Sequence, residues 1–292
     1  MYTQIASNKR KSLLLVFGFI VFVGGLDWLM SIAFHQPSFF IPILIIAILY
    51  AGISYWFSSN IALGMSGAKE IAKADAPELY NLVENLSITS GLPMPKVYII
   101  EDDSPNAFAT GRDPQHAVVA VTSGILQRLD KPELEGVLAH ELSHVGNYDI
   151  RFMALVVALV AVVSVISDLL LRLSFWGGDE EEGGSNQIFL VLSIVGAILA
   201  PIVAAIIQLA VSRQREYLAD SSGALLTRYP EGLALALEKI SASDQPMQHA
   251  NSATASLYIT NPLTGRSFSG LFDTHPPIEE RIKRLREMET RQ

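Results

Sequence analysis

The chain has 292 residues, half of them hydrophobic and 17% charged, with a formal net charge of −8 at pH 7. So few charges are unusual for a soluble protein and point to membrane spans, while the acidic balance excludes a nucleic-acid footprint. No cysteine is present, which rules out disulfides and thiolate metal ligands and leaves His, Asp and Glu to hold any metal.

Lys9, Arg10 and Lys11 precede a first apolar run at about 12–34, and "HQPS" links it to a second at about 39–57. Basic residues before an apolar run also describe a cleaved signal peptide. This run is long for one and passes directly into another, so a retained transmembrane hairpin is expected over residues 1–57. Residues 58–151 then read as ordinary globular sequence. "DAPELYNLVENLSITSG" predicts a helix with Asp75 near its N-cap, Pro77 in the first turn and Gly91 ending it. Leu79, Leu82, Val83 and Leu86 form its apolar stripe. "KVYII" at 96–100 and "AVVAVT" at 117–122 predict short strands rich in β-branched residues. A further helix should begin near Asp130 and Pro132 and end at Gly146-Asn147.

That helix carries "LAHELSHVGN". Positions i and i+4 share a helix face, so His140 and His144 can address one ion, while Glu141 lies ~100° around the axis. This is the H-E-x-x-H arrangement of zinc hydrolases. By composition the pattern recurs in roughly one chain in a hundred of this length, so it needs corroboration.

A third apolar run, about 152–171, follows almost directly, and a core helix is the alternative reading to a span there. A Gly-rich acidic loop leads to a fourth run at about 188–211, giving a second hairpin over 152–211. Residues 212–292 return to polar sequence. "SRQREYLAD" places Glu216 and Asp220 four apart on one helix face, where a Glu can ligate zinc and an Asp can hold a liganding imidazole. Two solvated carboxylates beside Arg213 and Arg215 fit the same spacing. A helix from about Glu231 to Ile240, an aperiodic stretch over 241–272 and a charged helix after Pro276-Pro277 complete the chain.

Four blocks in order, "PNAFATG", "VLAHELSHVGNYD", "SRQREYLAD" and "HPPIEERI", resemble those of the M48 family of membrane-embedded zinc metalloproteases, and within it the bacterial heat-shock-associated HtpX type. The resemblance spans nearly the whole chain. It implies a mainly α membrane protein with about four transmembrane helices and an α+β zincin-like (gluzincin) catalytic domain, split between 58–151 and 212–292. It further implies one Zn²⁺ per chain held by His140, His144 and Glu216, with Glu141 catalytic and Asp220 orienting a ligand. Asn106 and Ala107 match an edge strand that binds substrate backbone. His275 and Arg281 match a block that stabilises substrate or transition state.

The expected activity is endopeptidase cleavage of misfolded or damaged membrane and cytoplasmic polypeptides, with the lipid bilayer as the other partner and membrane quality control under stress as the role. An inactive scaffold of the same fold would predict a damaged motif, and the motif is intact. A site-2-type intramembrane protease would place H-E-x-x-H inside a span and draw its third ligand from an aspartate in an Asn/Asp-Pro-Asp-Gly or Leu-Asp-Gly context; nothing of that form follows here, and this H-E-x-x-H precedes its span. The eukaryotic branch that processes prenylated proteins has more spans. Basic residues flank the termini and the catalytic segments, whereas the "HQPS" turn and the acidic loop have none. The positive-inside rule therefore puts the catalytic segments on the cytoplasmic side of a bacterial or archaeal cytoplasmic membrane.

Overall fold

The apolar runs and the short β-branched runs resolve into a mainly helical chain with one small mixed sheet. A computed structural model describes residues 2–33, 40–176, 201, 213–243, 245–248, 254–262 and 276–289. Helices α1 (Tyr2–Ala33) and α2 (Phe40–Trp56) cover the first two runs, and α3 (Ser58–Ser66) follows α2 after a bend of 67°. Next come β1 (Lys69–Glu70), α4 (Pro77–Ser90), β2 (Lys96–Ile100), β3 (Ala107–Thr110), β4 (Val118–Thr122), α5 (Ser123–Arg128) and α6 (Lys131–Gly146). Helix α7 spans Asp149–Trp176, and α8 (Arg213–Thr227), α9 (Pro230–Ser241) and α10 (Ile278–Glu289) complete the described elements.

The sheet runs in the order β1-β2-β4-β3. Strand β4 returns from β3 through residues 111–117, which include a 3-10 turn at Pro114–His116, and inserts beside β2, so it pairs antiparallel with β3 and parallel with β2. Gly111 opens that connection at φ 152°, and a Cβ there would stand 2.7 Å from the His116 carbonyl oxygen. Every residue of β4 is buried, which requires cover on both faces. Alternation supplies it. Val119 and Val121 point into a core built with α4, α6, α9 and α10. Val118 and Ala120 point into a second core with Phe152, Val156 and Leu159 of α7 and Phe19 of α1.

The third apolar run is thus divided in use, because its first turns, Phe152 to Val163, are largely buried within the protein. Among the described residues no single helix is long and apolar enough to cross a membrane. Two bent pairs are, by length and composition: Ile45–Trp56 with Ser58–Ser66, and Lys131–Gly146 with Asp149–Val165. The fourth run, apart from residue 201, lies outside the described residues, as does His275.

Two local details go beyond the sequence reading. The N-cap of α4 is Ala76, because Asp75 turns back to accept the Ala72 N–H at 2.7 Å. Strand β1 was not anticipated: Lys69 and Glu70 have little strand preference and pair only because Ile99 and Tyr98 of β2 lie alongside.

Candidate metal centre

The helix that carries the histidines is fixed at both ends. Asp130 caps α6 by accepting the Glu133 N–H, and the Glu133 carboxylate accepts the Asp130 N–H in return. Glu133 also takes a 2.6 Å ion pair from Lys239, tying α9 to the start of α6. After Gly146 the chain turns through Tyr148, which is left-handed at φ 60°, and α7 leaves at 79° to α6. The turn swings Asp149 back beneath the helix, where its Oδ2 meets His144 Nδ1 at 3.1 Å.

Helix α8 lies against α6 on the other side. Its buried face is Arg215, Glu216, Ala219, Asp220, Gly223 and Ala224, a helical stripe of period 3.6. At Gly223 the two helices approach so closely that a Cβ would stand 2.9 Å from the His140 backbone nitrogen. Asp220 Oδ1 reaches His140 Nδ1 at 3.0 Å. Each imidazole is therefore engaged by a carboxylate at Nδ1 and presents Nε2 to the same space.

There the two Nε2 atoms are 3.2 Å apart, and Glu216 oxygens lie 3.5 Å from His144 Nε2 and 3.7 Å from His140 Nε2. Ligands at about 2.0–2.1 Å from a tetrahedral zinc are separated by about 3.3–3.4 Å. The three side chains thus fit one metal ion, and one ligand atom from each falls within 4.8 Å of the others. Glu141, 1% exposed, lines the same small hollow of about 20 Å³, room for little more than a water molecule.

The charges follow from this burial. Desolvation pushes the Glu141 carboxyl up to about 7, against the opposing pull of His144 and of the Ala109 N–H that donates to it. Burial disfavours the His144 imidazolium, but Asp149, Glu216 and Glu141 outweigh it and raise the ring to about 9. Burial, together with Arg281, takes His140 below its ordinary value. The surplus of carboxylates that favours a proton on His144 favours a metal cation equally.

Asp220 would be raised by burial, yet Arg281 and His140 hold it down to about 2. Arg281 is completely buried. It donates to both Asp220 oxygens, at 2.7 and 2.9 Å, and to the Ile259 carbonyl at 3.2 Å. Arg281 is expected from the sequence to meet substrate; here its side chain is sealed against Asp220, with Glu216 Oε2 3.8 Å away. Breaking such a pair leaves a buried charge uncompensated, so Arg281→Met is expected to destabilise the fold by about 3–5 kcal/mol. Thermal unfolding in detergent checks this, and an unchanged midpoint would remove the ion pair from the account.

Ala107 opens the edge strand β3 and Asn106 immediately precedes it, but the chain's own segment occupies that part of the edge. Ile259 N–H donates to the Ala107 carbonyl at 2.9 Å, and Asn106 Nδ2 donates to the Thr260 carbonyl at 3.0 Å. Phe108 bridges Tyr258, ring edge to ring face. The strand residue facing Glu141 is Ala109. Sequence reasoning passed over Ala109 and also over Asp149 and Arg215, whose buried guanidinium stacks on Phe152 at 4.2 Å. For Asp149 a signal existed: an acid five residues after His144, just past a Gly-Asn helix end.

A helix-borne pair of histidines, a glutamate from a second helix and a buried glutamate beside them define a metal-dependent peptidase. The profile of peptidase family M48 matches residues 73–289, and the chain belongs to that family; it is a metalloprotease. It is 53% identical over 288 residues to a protease HtpX homologue of Tropheryma whipplei (strain Twist), covering 99% of this chain and 98% of that one. An HtpX homologue of Ligilactobacillus salivarius is 46% identical over 295 residues, with 99% and 100% covered. The crystal structure of S. mikatae Ste24p shares the fold, with a TM-score of 0.53 at 19% identity over 98% of this chain and 67% of that one.

Proposed function

We propose that the protein is a membrane-bound zinc endopeptidase that cleaves misfolded or damaged membrane and cytoplasmic polypeptides, a quality-control activity suited to stress. The observation that carries this reading is the convergence of His140, His144 and Glu216 on one point beside the buried Glu141. Two imidazoles and a carboxylate without thiolate form a donor set of catalytic zinc. A zinc ion held there supplies Lewis-acid polarisation of the scissile carbonyl and lowers the pKa of water towards 7. Glu141 takes the proton of the attacking water on its carboxylate and returns it to the leaving amine nitrogen. The Ala109 N–H keeps that carboxylate aimed at the hollow. Asp149 and Asp220 fix the ring orientations through Nδ1. From the sequence, His275 is assigned as a donor to the tetrahedral oxyanion.

An extended substrate lies along β3 towards Ala109, beyond the positions already bridged by Tyr258 and Ile259. Main-chain hydrogen bonds of this kind carry little side-chain preference, which suits a range of unfolded chains. Four crossings, with a zincin-like domain on the cytoplasmic face, follow from the apolar runs and the placement of Lys and Arg. Detergent-purified protein stripped by a chelator should lose casein cleavage and regain it with one zinc per chain; turnover that ignores the chelator overturns the zinc reading. Orientation has its own test. In this cysteine-free chain a cysteine at Ser185 should react with an impermeant maleimide on intact cells and one at Ser252 should not, the reverse pattern inverting the topology.

A further inference from the structure

Helices α1, α2 and α7 flank an open hollow of about 420 Å³ away from the metal cluster, within the range of about 300–1,000 Å³ typical of small-molecule sites. Its lining is ordered by polarity. Ser12, Tyr55 and Arg151 stand at one end, and Phe19, Ile20, Ile48 and Leu159 at the other. Residues 12–20 of α1 and 151–159 of α7 each run about 12 Å along the helix, so the apolar lining is long enough to follow part of an acyl chain.

The polar end faces the catalytic domain. Tyr55 is followed by Trp56, whose ring lies 4.4 Å from the Arg112 guanidinium, and Arg151 is the third residue of α7. Among the described residues no carboxylate lines the hollow and Arg151 has no ion-pair partner. Exposed Arg10 lies two residues before Ser12 on α1. Uncompensated positive charge at the mouth of a greasy groove matches one kind of molecule: an anionic head with a hydrocarbon tail.

The geometry points to a binding site for an anionic phospholipid, its phosphate at Arg151 and an acyl chain between α1 and α7. The site rests on the membrane-bound reading above. Arg151 shares the first turn of α7 with Asp149, which holds His144, so the lipid sits two residues from the histidine's partner.

Two variants separate head from tail. A Cβ added at Gly52, which lines the hollow, would meet no heavy atom within 4 Å; Gly52→Leu therefore adds apolar volume to the hollow from a position with room for its first carbon. Arg151→Gln removes the charge. Delipidated, detergent-solubilised protein is titrated with phosphatidylglycerol and phosphatidylcholine of identical chains, and bound lipid is counted by native mass spectrometry. The parent is expected to retain phosphatidylglycerol at least about fivefold better, equivalent to about 1 kcal/mol. Arg151→Gln should lose the preference, and Gly52→Leu should retain less of both lipids. Equal retention of both lipids by the parent means a non-selective lipid shell and overturns the site, as does a preference that survives both variants. Release of the protein from membranes without detergent would instead refute the membrane-bound reading, so the two failures are distinguishable.

Discussion

Glu141→Gln is expected to keep its zinc and to lower protein cleavage by about 10²–10⁴-fold, the usual contribution of a positioned acid–base group. The substitution is nearly isosteric, and the amide oxygen can still accept the Ala109 N–H, so the buried hollow keeps its shape. What is lost is the capacity to take a proton from water, and no other carboxylate in the hollow is free to replace it. Glu216 is aimed at the two Nε2 atoms and Asp149 at His144 Nδ1. Metal analysis and a casein assay on one preparation decide the matter. Normal turnover sinks the assignment of Glu141 as the base, and complete loss of zinc would make it a ligand instead.

Glu216→Ala should lose zinc and activity together. Only two imidazoles then remain, and a stable catalytic site draws on three protein donors. Asp220→Ala is expected to behave differently, weakening zinc by about 10–100-fold through a looser His140. It should also strip Arg281 of its partner and cost about 3–5 kcal/mol in stability. Chelator competition and thermal unfolding read these two effects separately. If Glu216→Ala binds zinc as tightly as the parent protein, Asp220 becomes the first alternative ligand to test.

The elements that local chemistry specifies were legible before any coordinates. The Asp130 cap, the apolar stripe of α4 and the Pro-Pro start of α10 each announce themselves within a few residues, and each element occurs where expected. The spacing of His140 with His144, and of Glu216 with Asp220, showed which side chains share a helix face. What stayed hidden depends on contacts distant in the chain. Nothing near Arg281 in sequence says that it will be sealed beneath Asp220, sixty-one residues away. Nothing in the aperiodic stretch around Tyr258 says that it will pair with β3. Asp149 was missed because helical periodicity stops at Gly146, and only the left-handed Tyr148 returns the chain to His144.

The contact at Gly223 bears on how the site tolerates change elsewhere. Because no side chain separates α8 from the His140 backbone, the spacing of Glu216 from the histidines is gauged by main chain against main chain, a contact with no rotamers to adjust. Swapping one apolar residue for another in either core alters the filling around α6 and α8 but not that gauge. Sequence drift in the surrounding cores can therefore be extensive before the metal site loses its dimensions, whereas a single methyl group at position 223 reaches it at once.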